Sequence, residues 1–147
     1  MKVYLEHIAR TYLPYSLRRL MVKLFAYKTL IGVLVIIRND NKVLLVEQIH
    51  AEGKVWRLPG GFVEKDEDPE LAIIRELKEE LSLELKHVKL KSVCFDKNFL
   101  GIIITFETFI ENSPKLKVSS EIIRASFFNK TKIPSNIIAS HKHLIGQ

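Results

Sequence analysis

The chain has one cysteine, Cys94, in 147 residues. That excludes an internal disulfide and suits a reducing compartment, so a cytoplasmic protein is expected. Cys94 lies in an apolar-alternating run, which predicts buried filler rather than a nucleophile. No cysteine pair offers a zinc site, and His141 and His143 have no further ligands nearby in sequence. A membrane-length apolar run is also missing. The longest uncharged apolar stretch is residues 29–37, against the roughly twenty residues needed to span a bilayer. Lys28 and Arg38 bound that stretch and no small-residue cleavage site follows it, so it reads as a strand and not as a signal peptide. Repeats and low-complexity tracts are absent.

What is present fits one domain with a real hydrophobic core: 47% of residues are hydrophobic and 27% charged. The formal net charge is +6 and the pI about 9.4. A basic surface favours anionic partners such as nucleotides, nucleic acid or acidic lipid, and an ordinary solvated basic surface explains it equally well. No stronger sign of a nucleic-acid or membrane partner appears. Residues 12–27 have helical spacing, with Leu13, Leu17, Leu20, Met21, Leu24 and Phe25 on one stripe and Arg18, Arg19 and Lys23 opposite. Residues 1–28 are thus expected to be an amphipathic arm that packs on its own domain. A homodimer contact or membrane-surface anchorage is the alternative use of that stripe.

From residue 29 onward, strands and helices mix. Leu30–Arg38 and Lys42–Gln48 read as strands joined by an Asn39-Asp40-Asn41 turn. Val55–Leu58 approaches a Pro59-Gly60-Gly61 turn. Asp68 is a good N-cap and Pro69 a good first helical residue, which predicts a helix to about Leu81. Lys86–Phe95, Leu100–Ile110 and Glu121–Phe128 read as strands, and Pro134-Ser135 opens a last helix over Asn136–Ile145. The expected class is α/β (α+β), a mixed sheet packed between helices.

The central helix carries the chemistry. At about 100° per residue, Glu76, Glu79 and Glu80 fall within one third of its circumference. Leu77, Leu81 and Ile74 form a neighbouring face that should pin the helix to the sheet. Arg75 sits one turn before Glu79 and can fix its rotamer. Ala72, one turn earlier, is expected to leave room for ligand or backbone. Clustered like charges repel, and magnesium relieves that by taking carboxylate and carbonyl oxygens while keeping waters and phosphates as further ligands. The Gly60-Gly61 turn lets a backbone carbonyl come close enough to join. A solvent-exposed acidic helix is the plain alternative. Six residues at set positions arise by chance on the order of once in a hundred thousand such chains.

Residues 61–83 resemble the Nudix box, Gly-x5-Glu-x7-Arg-Glu-U-x-Glu-Glu-x-Gly-U, where U is bulky and aliphatic. Gly61, Glu67, Arg75, Glu76, Leu77, Glu79, Glu80 and Leu83 match it. The preceding Trp56-Arg57-Leu58-Pro59-Gly60 is similar to the usual approach to that box. The resemblance extends over residues 29–147 and implies a Nudix hydrolase domain there. It implies hydrolysis of a nucleoside diphosphate linked to another moiety, with Mg2+ as cofactor and Mn2+ as a substitute. Glu79 and Glu80 would be the main metal ligands, Glu76 a ligand or the general base, and Gly60 a carbonyl ligand. Glu67 would hold Arg75. Glu64 matches a frequent acidic loop position. Glu121 would be the later glutamate that many members add. Arg57 is a candidate for phosphate and Phe62 for the substrate's base, with Trp56, Phe95 and Phe99 also near enough to stack.

Ser82 departs from the box by replacing its glycine. If the left-handed backbone is kept, serine costs on the order of 1 kcal/mol there. The downstream proline and tyrosine marks of ADP-ribose and dinucleoside polyphosphate hydrolases are missing, since those positions hold Asn98, Phe99 and Leu100. A small nucleotide is the favoured substrate, an RNA 5′ end the alternative. A Nudix-fold binding or regulatory module without turnover is a third reading.

Overall fold

The computed structural model describes Pro14, Ser16, Leu17, Leu20 and residues 29–50, 53–97, 99–111 and 114–146. Apart from those first four residues, the expected arm at 1–28 lies outside the described residues. Seven strands form one mixed sheet: β1 (Leu30–Asn39), β2 (Lys42–His50), β3 (Gly53–Arg57), β4 (Gly60–Phe62), β5 (Lys89–Asp96), β6 (Gly101–Phe109) and β7 (Arg124–Asn129). Helices α1 (Pro69–Leu81) and α2 (Ala139–Gly146) cover its two faces. The strand path is β3-β2-β1-β6-β5, with β4 added to β1 and β7 to β2. Only β1 and β6 run parallel among these pairs. No helix among the described residues is long and apolar enough to cross a membrane.

The period of two along β1 divides the core. Val33, Val35 and Ile37 pack with Leu44 and Val46 under Ile73, Leu77 and Leu81 of α1. Leu34 and Ile36 face the other way, with Leu45, Trp56 and Leu58 under Ile137 and Ile145. Both faces of β1 are therefore buried, which explains its unbroken apolar sequence.

Helix α1 starts where its capping residues place it. Asp68 accepts from the Glu70 amide at 2.8 Å and Pro69 fills the first turn. It ends at Ser82, which keeps the left-handed backbone of the missing glycine, at φ 52° and ψ 32°. The Ser82 and Leu83 amides close the end by donating to Lys78 and Leu77 carbonyls at 3.0 and 3.2 Å.

The structure corrects several expectations. Residues 60–61 do not turn; they begin β4, which pairs with β1 from Gly32 to Leu34. Ala72 leaves no room for a ligand, being fully buried in the core under α1. Strand β7 begins at Arg124. Glu121 belongs to the turn before it, where Ile122 donates back to Ser119 and Ile123 donates to Glu47. Helix α2 begins three residues late, because Asn136 to Ile138 first run beside Trp56. Trp56 donates to Asn136 O at 3.1 Å, and Ile138 donates to Trp56 O at 3.0 Å. Cys94 is exposed, as are Leu90, Val93 and Phe95. They lie on β5, the outer strand of the path.

Candidate metal centre and active site

The site is built on the free edge of β4. Pro59 O accepts from Val35, and Val63 donates to Ile31 O, so these groups face β1. Gly60 and Phe62, between them, turn their backbone groups outward. The Gly60 amide donates to Glu80 Oε2 and the Phe62 amide to Glu76 Oε1, each at 3.3 Å. The Phe62 carbonyl accepts from Arg75 Nη2 at 3.0 Å, and the Gly60 carbonyl accepts from Arg57 Nη2. An edge strand thus uses its unpaired groups to seat a helix's glutamates.

Both glycines are required. Gly60 has φ 144°, and a Cβ on it would strike the Val33 carbonyl. A Cβ on Gly61 would strike the Glu76 carboxylate. At Gly61 the strand can approach α1 this closely only without a side chain, and at Gly60 the close approach to β1 and the positive φ exclude one.

Arg75 is the hub. Its Nε and Nη2 hold both oxygens of Glu67 at 2.9 and 3.0 Å. Its Nη1 reaches Glu76 Oε1 at 3.0 Å and Glu79 Oε2 at 3.1 Å. With Phe62 O, this engages every N–H of the guanidinium. Glu67 is drawn down to about 2, first by its hydrogen bond with Arg75 and then by the Glu64 amide. Glu64 brings its backbone to this network and not its exposed carboxylate.

Glu80 differs from its neighbours by being 5% exposed. Burial pushes its carboxyl up to about 7, against the opposing pull of Arg57 and the Gly60 amide. Negative charge on Glu76 and Glu121 pushes it further. Glu121 reaches this neighbourhood through the loop before β7. The Ser119 amide donates to Glu80 O at 2.9 Å and Lys117 to Leu81 O at 3.0 Å, which ties that loop to the end of α1.

The donor set is carbonyl and carboxylate oxygen, which suits a hard divalent cation. A cation already stands on part of it, since Arg57 bridges the Gly60 carbonyl and Glu80 Oε1, the latter at 3.3 Å. The residues therefore fit a metal chemically. They are not drawn to one point, and among the described residues no three His, Cys, Asp or Glu side chains form a ready ligand group. Arg75 turns Glu76 and Glu79 one way, and Arg57 holds Glu80 the other.

Two residues at this site were not expected from the sequence. Gln48 donates to Glu80 Oε1 at 3.2 Å. Its signal was a polar side chain continuing the inward series Leu44, Val46. His141, from α2, accepts the Leu58 amide on Nδ1 at 3.0 Å. Burial and then Arg57 push its pKa down to about 4, with Asp96 opposing. Trp56 is core, 4% exposed, edge-on to Phe128 and capped by Arg124.

Comparison with known proteins agrees with this geometry. A family model described as the NUDIX domain matches residues 28–145. An RNA pyrophosphohydrolase of Pelagibacter ubique is 39% identical over 77 residues, 48% of each chain, so the chain spans about half that relative's length. An ADP-ribose pyrophosphatase of Methanocaldococcus jannaschii is 33% identical over 114 residues, 75% of this chain and 67% of the relative. The fold is similar to the MutT NUDIX hydrolase of Burkholderia pseudomallei, with a TM-score of 0.69 at 24% identity, over 82% of this chain and 98% of the other. A match over most of the chain, joined to an edge strand that seats the glutamates of the box, makes this protein a member of the Nudix family.

Proposed function

We propose that this protein is a divalent-metal-dependent pyrophosphohydrolase that cleaves the diphosphate linkage of a small nucleotide. The observation that carries this reading is the Gly60–Glu80 contact, with Glu76 on the adjacent outward amide. Together they bring Glu76 and Glu80 of α1 to the strand edge that also carries the Gly60 carbonyl. Gly60, Glu76, Glu79 and Glu80 would hold the metal. Bound there, Mg2+ neutralises phosphate charge and lowers the pKa of a water.

This chain's own residues do the rest. Water attacks one phosphorus of the diphosphate; its proton goes to a carboxylate oxygen of Glu76 or Glu121, and the bridging oxygen departs with the other phosphate. Arg75, clamped by Glu67, restrains Glu76 and Glu79. Arg57 supplies positive charge for a phosphate oxygen. The test is a Mg2+-dependent screen for product from ADP-ribose, nucleoside triphosphates and dinucleoside polyphosphates. Product from any of them supports the reading. No product from all of them, with metal bound, favours a binding module without turnover.

An RNA 5′-end substrate is a second reading, supported by the +6 charge and by the Pelagibacter relative. Triphosphorylated RNA tested beside free nucleotides, with and without residues 1–28, separates the two. Indifference to the loss of residues 1–28 removes the basic arm from the argument.

A further inference from the structure

We propose that Phe62 and Phe99 form a stacking shelf for the planar base of the nucleotide, on the sheet face opposite α1. This rests on the hydrolase reading for the ligand's identity and on separate geometry for the site. The two rings lie 5.5 Å apart and tilted by 35°. Phe62 is 52% exposed. About half of its surface is open to a ligand.

The chain holds Phe99 in place by three independent features. Gly32 and Gly101 form a floor without side chains; a Cβ on Gly101 would meet the Phe99 ring at 2.6 Å, and one on Gly32 would meet it at 3.4 Å. The Phe99 amide donates to Asp96 Oδ1 at 3.1 Å, which fixes the turn between β5 and β6. Leu100 follows with φ 55°, a left-handed backbone unfavourable to leucine.

The shelf is joined to the glutamates through one residue. Phe62 offers its amide to Glu76 and its carbonyl to Arg75, while its side chain alternates to the face opposite that of Gly61. A nucleotide lying across the β4 edge would put its phosphates among the α1 carboxylates and its base on the two rings. Stacking on two phenyl rings tolerates any base. The ligand class is therefore a nucleotide with weak base preference.

Titration calorimetry with AMP and with ribose 5-phosphate tests this. Neither has a phosphoanhydride bond, so the outcome does not depend on hydrolysis. Wild type should bind AMP more tightly than ribose 5-phosphate. Phe62→Ala and Phe99→Leu should each weaken AMP roughly 5- to 100-fold, leave ribose 5-phosphate unchanged, and Phe99→Tyr should retain AMP. Equal binding of the two ligands by wild type, or AMP binding unchanged in folded Phe62→Ala, overturns the shelf. If Phe99→Leu fails to fold, the exposed Phe62 variant decides. A protein that prefers AMP but shows no turnover keeps the shelf and loses the hydrolase reading; an active protein without that preference does the reverse.

Discussion

The amide of Leu58, a fully buried residue, donates to Nδ1 of His141 at 3.0 Å. This contact joins helix α2 to the segment that presents Gly60, 83 residues away along the chain from its partner. An accepting Nδ1 requires the neutral ring with its proton on Nε2. Through Leu58, His141 is expected to act as a positioning residue for the Gly60 carbonyl.

Replacing His141 by Leu should leave the amide unpaired and cost about 1–3 kcal/mol. His141→Asn keeps an acceptor and should cost less. Mn2+ titration by electron paramagnetic resonance should show several-fold weaker binding in the Leu variant and near-normal binding in the Asn variant. Equal behaviour of the two variants would assign His141 to packing alone.

The burial of His141, with the nearby charge of Arg57, predicts a pH dependence. The His141 pKa falls from 6.5 to about 4 on folding. Between those values the unfolded chain binds a proton that the folded chain does not, so stability drops as pH falls from about 6.5 to 4. Denaturant melts across that window should show a shallower drop in His141→Asn than in wild type.

Glu80 predicts the opposite sign. Its folded pKa of about 7 lies above the ordinary carboxylate value of 4.5, so the metal-free protein loses stability from this group as pH rises between them. A metal requires the ionised carboxylate. Mg2+ uptake near pH 6.5 should therefore release protons, read by calorimetry in buffers of different ionisation enthalpy. Glu80→Gln should bind more weakly and release fewer.

Ser82 holds φ 52° where glycine is favoured. Ser82→Gly should raise stability by about 1 kcal/mol and the melting temperature by a few degrees, with turnover unchanged. Thermal melts check it. A destabilised variant would mean that the serine side chain makes a contribution larger than its strain.

The local signals in the sequence were legible because their physics is local. Asp68, Pro69 and the period of α1 located the helix within a residue, and the spacing of Gly61 to Glu80 identified the glutamate cluster. Gly60 and Gly61 looked like a turn because glycine permits one; their pairing with Val33 and Leu34 is a tertiary fact. Cys94 looked buried because alternation reveals an apolar face without saying what covers it. Ala72 looked like space for a ligand because a helical wheel does not show which flank the core occupies. Gln48 and His141 reach the site only through the folding of β2 and α2 around it; the one trace in the sequence is the place of Gln48 in the inward series Leu44, Val46.

The proposed hydrolysis depends on the α1 glutamates holding a divalent ion. Its most direct test is the turnover number of Glu79→Gln beside wild type, at saturating Mg2+ and on whichever nucleotide the screen identifies. Turnover should fall by at least two orders of magnitude, on the order of 3 kcal/mol, with helix content unchanged by circular dichroism. Full turnover in the folded variant would contradict it.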